Sequence, residues 1–241
     1  MSTAQVSPPT STKRSLPLVI WMSSSIGQKT IVAVTGILLL GYVVLHLLGN
    51  LSIFFGQDAI NTYATGLHSI EPLLWVARTI LLIAFFAHIY ATIKLTIENR
   101  AARPKKYLVE KRLKASFFGR TMAYTGIVVL VFVIIHLADF TWKTIHPEFR
   151  HLIDAQGRPD VYSMVVHGFE NIWMSIFYIL AIGLLSFHLS HGIGSLFQTL
   201  GISNKKLQPI FTRGGVVVAW LLFVGFASIP LAVLTHVLRI P

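Results

Sequence analysis

The 241-residue chain contains no cysteine. Disulfide bonds, thiolate catalysis, cysteine-ligated iron–sulfur clusters and covalent attachment of a c-type haem are therefore excluded within this chain. Charged residues are also scarce, at 12%, whereas apolar residues make up 54% and the mean hydropathy is +0.69. A composition this apolar predicts a membrane protein.

Acidic residues are few, nine against twenty lysines and arginines, and the net charge is +11. The basic residues lie in the gaps between apolar stretches, so they indicate contact with a membrane surface and exclude a nucleic-acid partner. We expect no cleavable signal peptide, because Lys13 and Arg14 precede only a short apolar stretch that a proline interrupts.

Five apolar segments are long enough to cross a bilayer, which takes about 20 residues. The predicted spans are Lys29–Phe55, Pro72–Ile97, Gly119–Lys143, Asn171–Leu200 and Arg213–Leu238. The pattern predicts an all-α membrane protein with a cytoplasmic segment over 1–28 and a single five-helix transmembrane domain over 29–241. We expect it in the cytoplasmic membrane.

The connections between these segments differ in charge. The N-terminal tail through Lys29 and the 98–120 and 201–213 connections hold fourteen lysines and arginines, whereas the other connections and the C-terminal end hold four. By the positive-inside rule, the N-terminus is predicted to be cytoplasmic and the C-terminus outside. The basic 98–120 connection suits either a soluble partner subunit or anionic lipid.

Four histidines lie inside four of the predicted spans: His46, His88, His136 and His188. A histidine in hydrocarbon is costly and rare, which makes it a candidate functional residue. Counting from the predicted helix ends places His46 and His136 in the outer half, and the other two in the inner half or the middle. Two level pairs predict axial ligands of two stacked b haems in a four-helix bundle, with the fifth helix beside it. The alternative is that each histidine is a hydrogen-bonded packing residue.

An internal repeat supports this pairing. Thr35-Gly36-Ile37 precedes His46, and Thr125-Gly126-Ile127 precedes His136, with a threonine-to-histidine spacing of 11 residues in both segments. A glycine at this depth lets a planar macrocycle or a neighbouring helix approach the backbone closely.

The surroundings of His88 and His188 match each other more loosely. His191 lies three residues after His188, on nearly the same helix face, and is an alternative ligand. The alignment of the two repeats favours His188. The histidines of the predicted outer loops are expected to be ordinary polar residues, namely His68, His146, His151 and His167.

The chain resembles a known family in three places: SSSIGQKTIVAVTGILLLGYVVLHLLGN, INTYATGLHS and SFHLSHGIGSLFQTLG. These stretches are similar to the cytochrome b558 subunit of bacterial succinate dehydrogenase and fumarate reductase, the five-helix, dihaem (type B) anchor. The resemblance runs from about Ser23 to the end of the chain. The string from His188 to Ile193 also resembles the ligand motif of other succinate dehydrogenase anchors.

The resemblance implies two b haems and assembly with a flavoprotein and an iron–sulfur protein on the cytoplasmic side. Electrons would pass from succinate through FAD and iron–sulfur clusters to the inner haem, then to the outer haem and then to a quinone, usually menaquinone. The chain would not oxidise succinate itself, although it would contribute to quinone reduction. Oligomerisation of the complex stays open.

Haem propionates and quinones need polar partners. The candidate cations for propionates are Arg78 near the outer level and Lys29, Lys94 and Arg120 at inner helix ends, with snorkelling to the membrane interface as the alternative. Quinone reduction needs a proton-exchanging group beside an apolar slot. Outer candidates are Glu71, Asp139 and His68, with Asn50 as a possible donor. Glu71 is preferred as the proton carrier, because it heads the second span, where a carboxylate can face both water and the bundle. An inner site at Ser24, Ser25 and Lys29 would resemble the serine-rich entrance of related anchors. The outer site is preferred, because a second haem has little purpose unless the electron leaves there.

Two other function classes remain open from sequence. One is a dihaem anchor of a different respiratory dehydrogenase. The other is a haem-free membrane transporter or assembly factor whose histidines relay protons.

Overall fold

The computed structural model describes residues 17–102 and 117–240. Within these residues the chain is helical, with an isolated β-bridge between Ile153 and Pro159. The α-helices are α1 (Pro17–Ser23), α2 (Ser25–Leu51), α3 (Gln57–Ser69), α4 (Glu71–Ala101), α5 (Phe117–His136), α6 (Val161–Glu170), α7 (Ile172–Thr199) and α8 (Gln208–Leu234). Short 3-10 turns cover Ser52–Phe55 and Pro147–His151, and a π-helical turn covers Leu137–Thr141.

Five helical stretches are long and apolar enough to cross a membrane: Ser25–Phe55, Glu71–Ala101, Thr121–Thr141, Ile172–Thr199 and Gln208–Leu234. They match the five predicted spans. Large apolar side chains such as those of Leu45, Phe86 and Ile127 are more than 60% exposed along them. Lipid rather than water suits such faces, so the chain is a multi-pass membrane protein.

Helix ends follow the local sequence. Ser24 accepts a hydrogen bond from the Gly27 amide at 3.1 Å and caps α2, which therefore begins before the predicted Lys29. Asn171 caps α7 through the amides of Trp173 and Met174. Proline in the first turn of α4 and of α8 loses no helical hydrogen bond, because the first amides of a helix have no partner.

The spans form a bundle built from helix pairs. α2 packs along α4, α5 packs along α7, and α8 lies against α7 with a smaller contact to α2. The two helix pairs that carry His46 with His88, and His136 with His188, are thus each in direct contact. Helix α8 lies beside them, as the sequence predicts.

Three shorter helices were not predicted, namely α1, α3 and α6. α3 and α6 occupy connections that the hydropathy pattern treated as loops, and they pack against each other. We call this end of the bundle the α3–α6 end; it is the end predicted to face outside. Much of the buried apolar core lies here, where α3, α6, α7 and α8 meet, and it includes Ile53, Ile60, Tyr162, Val166, Tyr178 and Ile229.

A buried polar cluster holds α3 to the chain before α6. The Asn61 side chain is fully buried and donates to Asp154 at 3.1 Å and to Asp160 at 3.0 Å, while its oxygen accepts from the Tyr162 amide at 3.1 Å. The Arg158 guanidinium donates to Asp154 at 2.8 Å. Because the buried polar groups of this cluster bond to one another, the cluster stabilises the α3–α6 end.

Candidate cofactor site

The structure brings His46 and His136 together. Their ring centroids are 5.8 Å apart and the ring planes are nearly perpendicular, at 84°. His46 comes from the last turns of α2 and His136 from the last residue of α5, so the pair lies toward the α3–α6 end. Aromatic rings surround it, namely Tyr42 and Phe226 at His46, and Phe132, Phe140 and Tyr178 at His136.

The other two histidines each contact a threonine of the repeat. His88 Nδ1 lies 3.0 Å from Thr35 Oγ1, across the α2–α4 contact. His188 Nδ1 lies 3.2 Å from Thr125 Oγ1, across the α5–α7 contact. The two imidazoles are close enough to interact electrostatically. Within one repeat segment, the threonine and the histidine thus belong to different histidine pairs. Thr35 contacts His88 of the neighbouring helix, whereas His46 lies beside His136.

These contacts select a tautomer. Thr35 Oγ1 donates to the Ile31 carbonyl at 2.7 Å and Thr125 Oγ1 donates to the Met122 carbonyl at 3.1 Å. A hydroxyl whose proton is used in this way accepts from the imidazole, so Nδ1 carries the ring proton. The Nε2 lone pair of His88 and of His188 is then free to bind a metal ion, as in proteins that orient metal-bound histidines through a second hydrogen bond.

The glycines of the repeat lie against the same rings. A Cβ atom added at Gly36 would lie 3.7 Å from His88 Cε1, and one added at Gly126 would lie 3.6 Å from His188 Cε1. Each Thr-Gly pair therefore presents one hydrogen-bond acceptor and one bare stretch of backbone to an imidazole. His191 is partly buried, and no hydrogen bond to its ring is found among the described residues.

The two imidazoles of a pair are a donor set that could hold haem iron. No group of three or more histidine, aspartate or glutamate side chains that could hold a metal ion occurs in the part of the chain that the structure describes. Haem iron takes only axial ligands from the protein, because the porphyrin supplies the others. The His46 and His136 rings come from different helices and lie 5.8 Å apart between centroids, so both could bind one such group.

Asn50 lies beside the first pair. Its Nδ2 donates to the His46 carbonyl at 2.8 Å and lies 3.4 Å from His46 Nε2. The amide group has two N–H donors, so it can serve both the carbonyl and the ring nitrogen of His46, and a metal ion at Nε2 would take the place of the longer contact. Asn50 therefore acts on His46 and has no contact that marks it as a quinone donor.

The outer carboxylate and histidine candidates are separated from one another. Glu71 is exposed at the start of α4, where its nearest partner is Trp75 Nε1 at 3.4 Å. His68 is exposed on α3, with Nδ1 2.8 Å from the Ala64 carbonyl. Neither side chain contacts His46 or His136. Asp139, by contrast, is fully buried.

The candidate propionate cations are dispersed as well. Arg78 is exposed and stacks on Trp75, with Cζ 5.1 Å from the ring centroid. Lys94 pairs with Glu98 at 3.8 Å. Lys29 is exposed, and the side chain of Arg120 lies outside the described residues. At the end of the bundle that carries Lys29, Ser24 Oγ donates to the Trp21 carbonyl, and Ser25 is the first residue of α2. These two serines therefore form the start of the helix.

Three polar residues that sequence reasoning missed are buried or half-buried near these sites. Tyr178 donates to Asp139 Oδ2 at 3.1 Å, and its ring centroid lies 5.9 Å from that of His136. His146 Nε2 lies 3.9 Å from Asp139 Oδ1, a proximity that its place in a predicted outer loop did not suggest. Gln28 is 1% exposed near the opposite end of α2 and donates to the Ser23 carbonyl. The spacing of Asp139 and His146 carried no periodic signal that could have paired them.

No protein-family model, curated protein or solved structure matches this chain.

Proposed function

We propose that this chain is the dihaem cytochrome b membrane anchor of a succinate:quinone oxidoreductase. In this proposal it carries electrons from an iron–sulfur subunit through two b haems to a quinone, with menaquinone as the expected acceptor. The proposal combines the resemblance of its sequence motifs with the arrangement of four intramembrane histidines.

The arrangement of His88 and His188 carries the proposal. Two histidines on different helices, in two copies of one repeat, each face a threonine hydroxyl through Nδ1 at 3.0 and 3.2 Å. If these two histidines only filled space in the bundle, there would be no reason for both to have a threonine acceptor and a neighbouring glycine. An axial haem ligand does need a fixed ring orientation and an unprotonated Nε2. The hydrogen bond also supports His188 over His191 as the ligand.

The side chains have separable roles in this proposal. His88 and His188 would hold one haem, and His46 and His136 would hold the other, toward the α3–α6 end. A b haem supplies reversible one-electron transfer when it is bound in this way. The rings of Phe132, Phe140 and Phe226 exclude water around His46 and His136 and keep the surroundings of the imidazoles apolar.

Charge at the opposite end of the bundle supports a soluble partner. Lys29, Arg100, Lys205 and Lys206 are exposed there, at the starts or ends of spans. A basic rim of this kind suits an acidic face of an iron–sulfur subunit, as well as anionic lipid headgroups. The flavoprotein would then bind to the iron–sulfur subunit without contacting this chain.

The test is haem stoichiometry in the complex purified from membranes. We expect two haems b per chain and a sharp α band at about 560 nm after reduction. Replacement of His88 by Ala should remove one haem and retain the other, and replacement of His46 by Ala should remove the other one. The matched control is His151→Ala, since His151 is an exposed histidine outside the spans. A wild-type chain without haem, co-purifying with no flavoprotein or iron–sulfur protein, would refute the proposal.

A further inference from the structure

The π-helical turn after α5 directs a carboxylate into the bundle. Residues Leu137–Thr141 add one extra residue per turn directly after His136, and Asp139 in this turn is fully buried. Such turns are rare inside helices and often occur at functional sites. A buried carboxylate in a membrane-spanning helix is costly unless it is paired or has a function.

Asp139 is only half paired. Tyr178 donates to Oδ2 at 3.1 Å, whereas Oδ1 is buried with no hydrogen-bond partner among the described residues. The nearest group to Oδ1 is His146 Nε2, at 3.9 Å. This distance exceeds a hydrogen bond, but a small rotation of either side chain or one bridging water closes it.

His146 connects this buried carboxylate to the surface. Its side chain is 29% exposed, its Nδ1 lies 2.9 Å from Glu148 Oε1, and its ring stacks on Phe149 at 4.8 Å. It lines a cavity of about 280 Å³ together with Glu148, Phe149, Leu152 and His167. The imidazole thus lies between Asp139, which is 3.9 Å from Nε2, and a cavity that opens to the surface.

We propose that Asp139 and His146 form the route by which protons enter the α3–α6 end of the bundle from the water outside it. This inference rests on the proposed function, because the protons are consumed when a quinone is reduced beside the His46–His136 pair. Tyr178 lies between Asp139 and His136, so the carboxyl group is one side chain away from that pair.

Quinone reduction consumes protons and electrons in equal number. A quinone that accepts two electrons from the dehydrogenase subunits also takes two protons, and an O–H bond forms at each of its carbonyl oxygens. Asp139 in its acid form gives up a proton at each of these events. His146 in its charged form replaces that proton through Nε2, and water in the cavity recharges the imidazole. Histidine suits this role because its ordinary pKa lies near neutrality.

Among the other titratable groups that face this route, Glu148 stabilises the charged imidazole. Glu148 is hydrogen-bonded to His146, and hydrogen bonds to its own backbone amide and from His146 hold the pKa of Glu148 below its usual value. His167, from α6, lines the same cavity and pairs with Glu170 at 3.1 Å. Tyr178, from α7, faces the other carboxylate oxygen of Asp139, Oδ2. Glu148 therefore orients His146 and remains negative when the imidazole is charged.

The experiment compares three variants of the whole complex in membranes. The variants are Asp139→Asn, His146→Gln and the control His151→Gln, which changes an exposed histidine of the same loop. The readouts are the reduced haem spectrum, succinate oxidation with an artificial dye, and reduction of a short-chain naphthoquinone between about pH 5.5 and 8.5, a range that spans the ordinary pKa of histidine.

We expect Asp139→Asn and His146→Gln each to slow naphthoquinone reduction at least about tenfold, since general acid–base catalysis contributes roughly 10²–10⁴-fold. The haem spectrum and dye reduction should be unchanged, and His151→Gln should match the wild type. The slowing by His146→Gln should be larger at high pH, where protons are scarce, and weak bases such as imidazole should partly restore the rate.

Each result decides one question. Normal naphthoquinone reduction in His146→Gln, with an intact haem spectrum, overturns the route even if Asp139→Asn fails to assemble. Absence of haem from the wild-type complex overturns the proposed function instead. Slowing that is independent of pH and insensitive to imidazole shows a structural role for these residues and also overturns the route.

Discussion

Removing the hydroxyl that faces His88 tests whether the threonines of the repeat orient metal ligands. The change is Thr35→Val, which keeps the side-chain shape and removes the acceptor that lies 3.0 Å from His88 Nδ1. When haem is bound, the Nδ1 proton loses this acceptor, at a cost of about 1–3 kcal/mol. Without haem the ring can rotate toward another acceptor, so the penalty falls mainly on the bound state.

The expected magnitude is a roughly tenfold to hundredfold weaker retention of the haem held by His88, since loss of a hydrogen-bond partner behind a metal-bound histidine has typical effects of this size. Thr125→Val should act in the same direction at His188 with a smaller effect, because the contact there is longer, at 3.2 Å. Thr35→Ser keeps a hydroxyl and should restore most of the retention.

The assay is the rate of haem transfer from the purified complex to an excess of apomyoglobin, followed by visible absorption. The matched control is Thr92→Val, because the Thr92 hydroxyl donates at 2.8 Å to the main-chain carbonyl of the same histidine and leaves the ring alone. Equal transfer rates in Thr35→Val and Thr92→Val would refute the idea that the ring contact orients a ligand.

The choice of ligand on α7 and the acid stability of the α3–α6 end can be tested separately. His188→Gln should abolish the low-spin spectrum of one haem, whereas His191→Gln should leave it in place; the reverse pair of spectra would assign His191 as the ligand. Burial alone raises the pKa of Asp154, but hydrogen bonds from Arg158 and Asn61 outweigh it and hold that pKa at about 2, below its ordinary 3.8. A depressed acid pKa stabilises the fold above about pH 4, and this stabilisation is lost as the pH falls toward about 2. The protection of the α3 amides, which is their exchange rate relative to that of an unstructured chain at the same pH, should therefore fall over this window in the wild type and be low throughout in Asp154→Asn; wild-type protection that is independent of pH would contradict this.

Hydropathy was sufficient to predict the five spans, because the membrane imposes the same requirements on each of them. A helix that crosses hydrocarbon must satisfy its own backbone and present apolar side chains over about 20 residues, and both conditions can be read from a local window. Start and end points were less accurate. The cap at Ser24 moved the start of α2 to Ser25, because a serine hydroxyl can satisfy an orphan amide in a region that hydropathy does not register.

The α3 and α6 helices were not predicted, because the contacts that stabilise them are not local in the sequence. They are short and amphipathic, and their stability comes from packing against each other and from the buried Asn61 cluster rather than from their composition. Residues of that cluster lie far apart in the chain, since Asn61 bonds to Asp154 and Asp160. No local sequence pattern predicts such a contact.

The candidate site likewise combines features that the sequence shows with contacts that only the structure shows. The repeat of Thr35-Gly36 and Thr125-Gly126 was visible in the sequence, but its interpretation there was only close approach of a macrocycle or a helix. The structure adds that each threonine faces the histidine of the neighbouring helix. The contact depends on how the helices pack against each other, which is a tertiary property. Glu71 was the preferred proton carrier from sequence, yet it lies exposed at a helix start while Asp139 is buried.

The sequence by itself determined the class of protein and the number of spans, because hydrocarbon burial acts residue by residue along one chain. Only the tertiary structure decided which polar groups meet: Thr35 with His88, Thr125 with His188, and Asp139 with Tyr178 and His146. Such pairs depend on the rotation and packing of whole helices and on a π-helical turn that changes the face on which Asp139 lies. A hydrogen bond needs its two atoms within about 3 Å, and the position of a residue in the chain does not specify that distance.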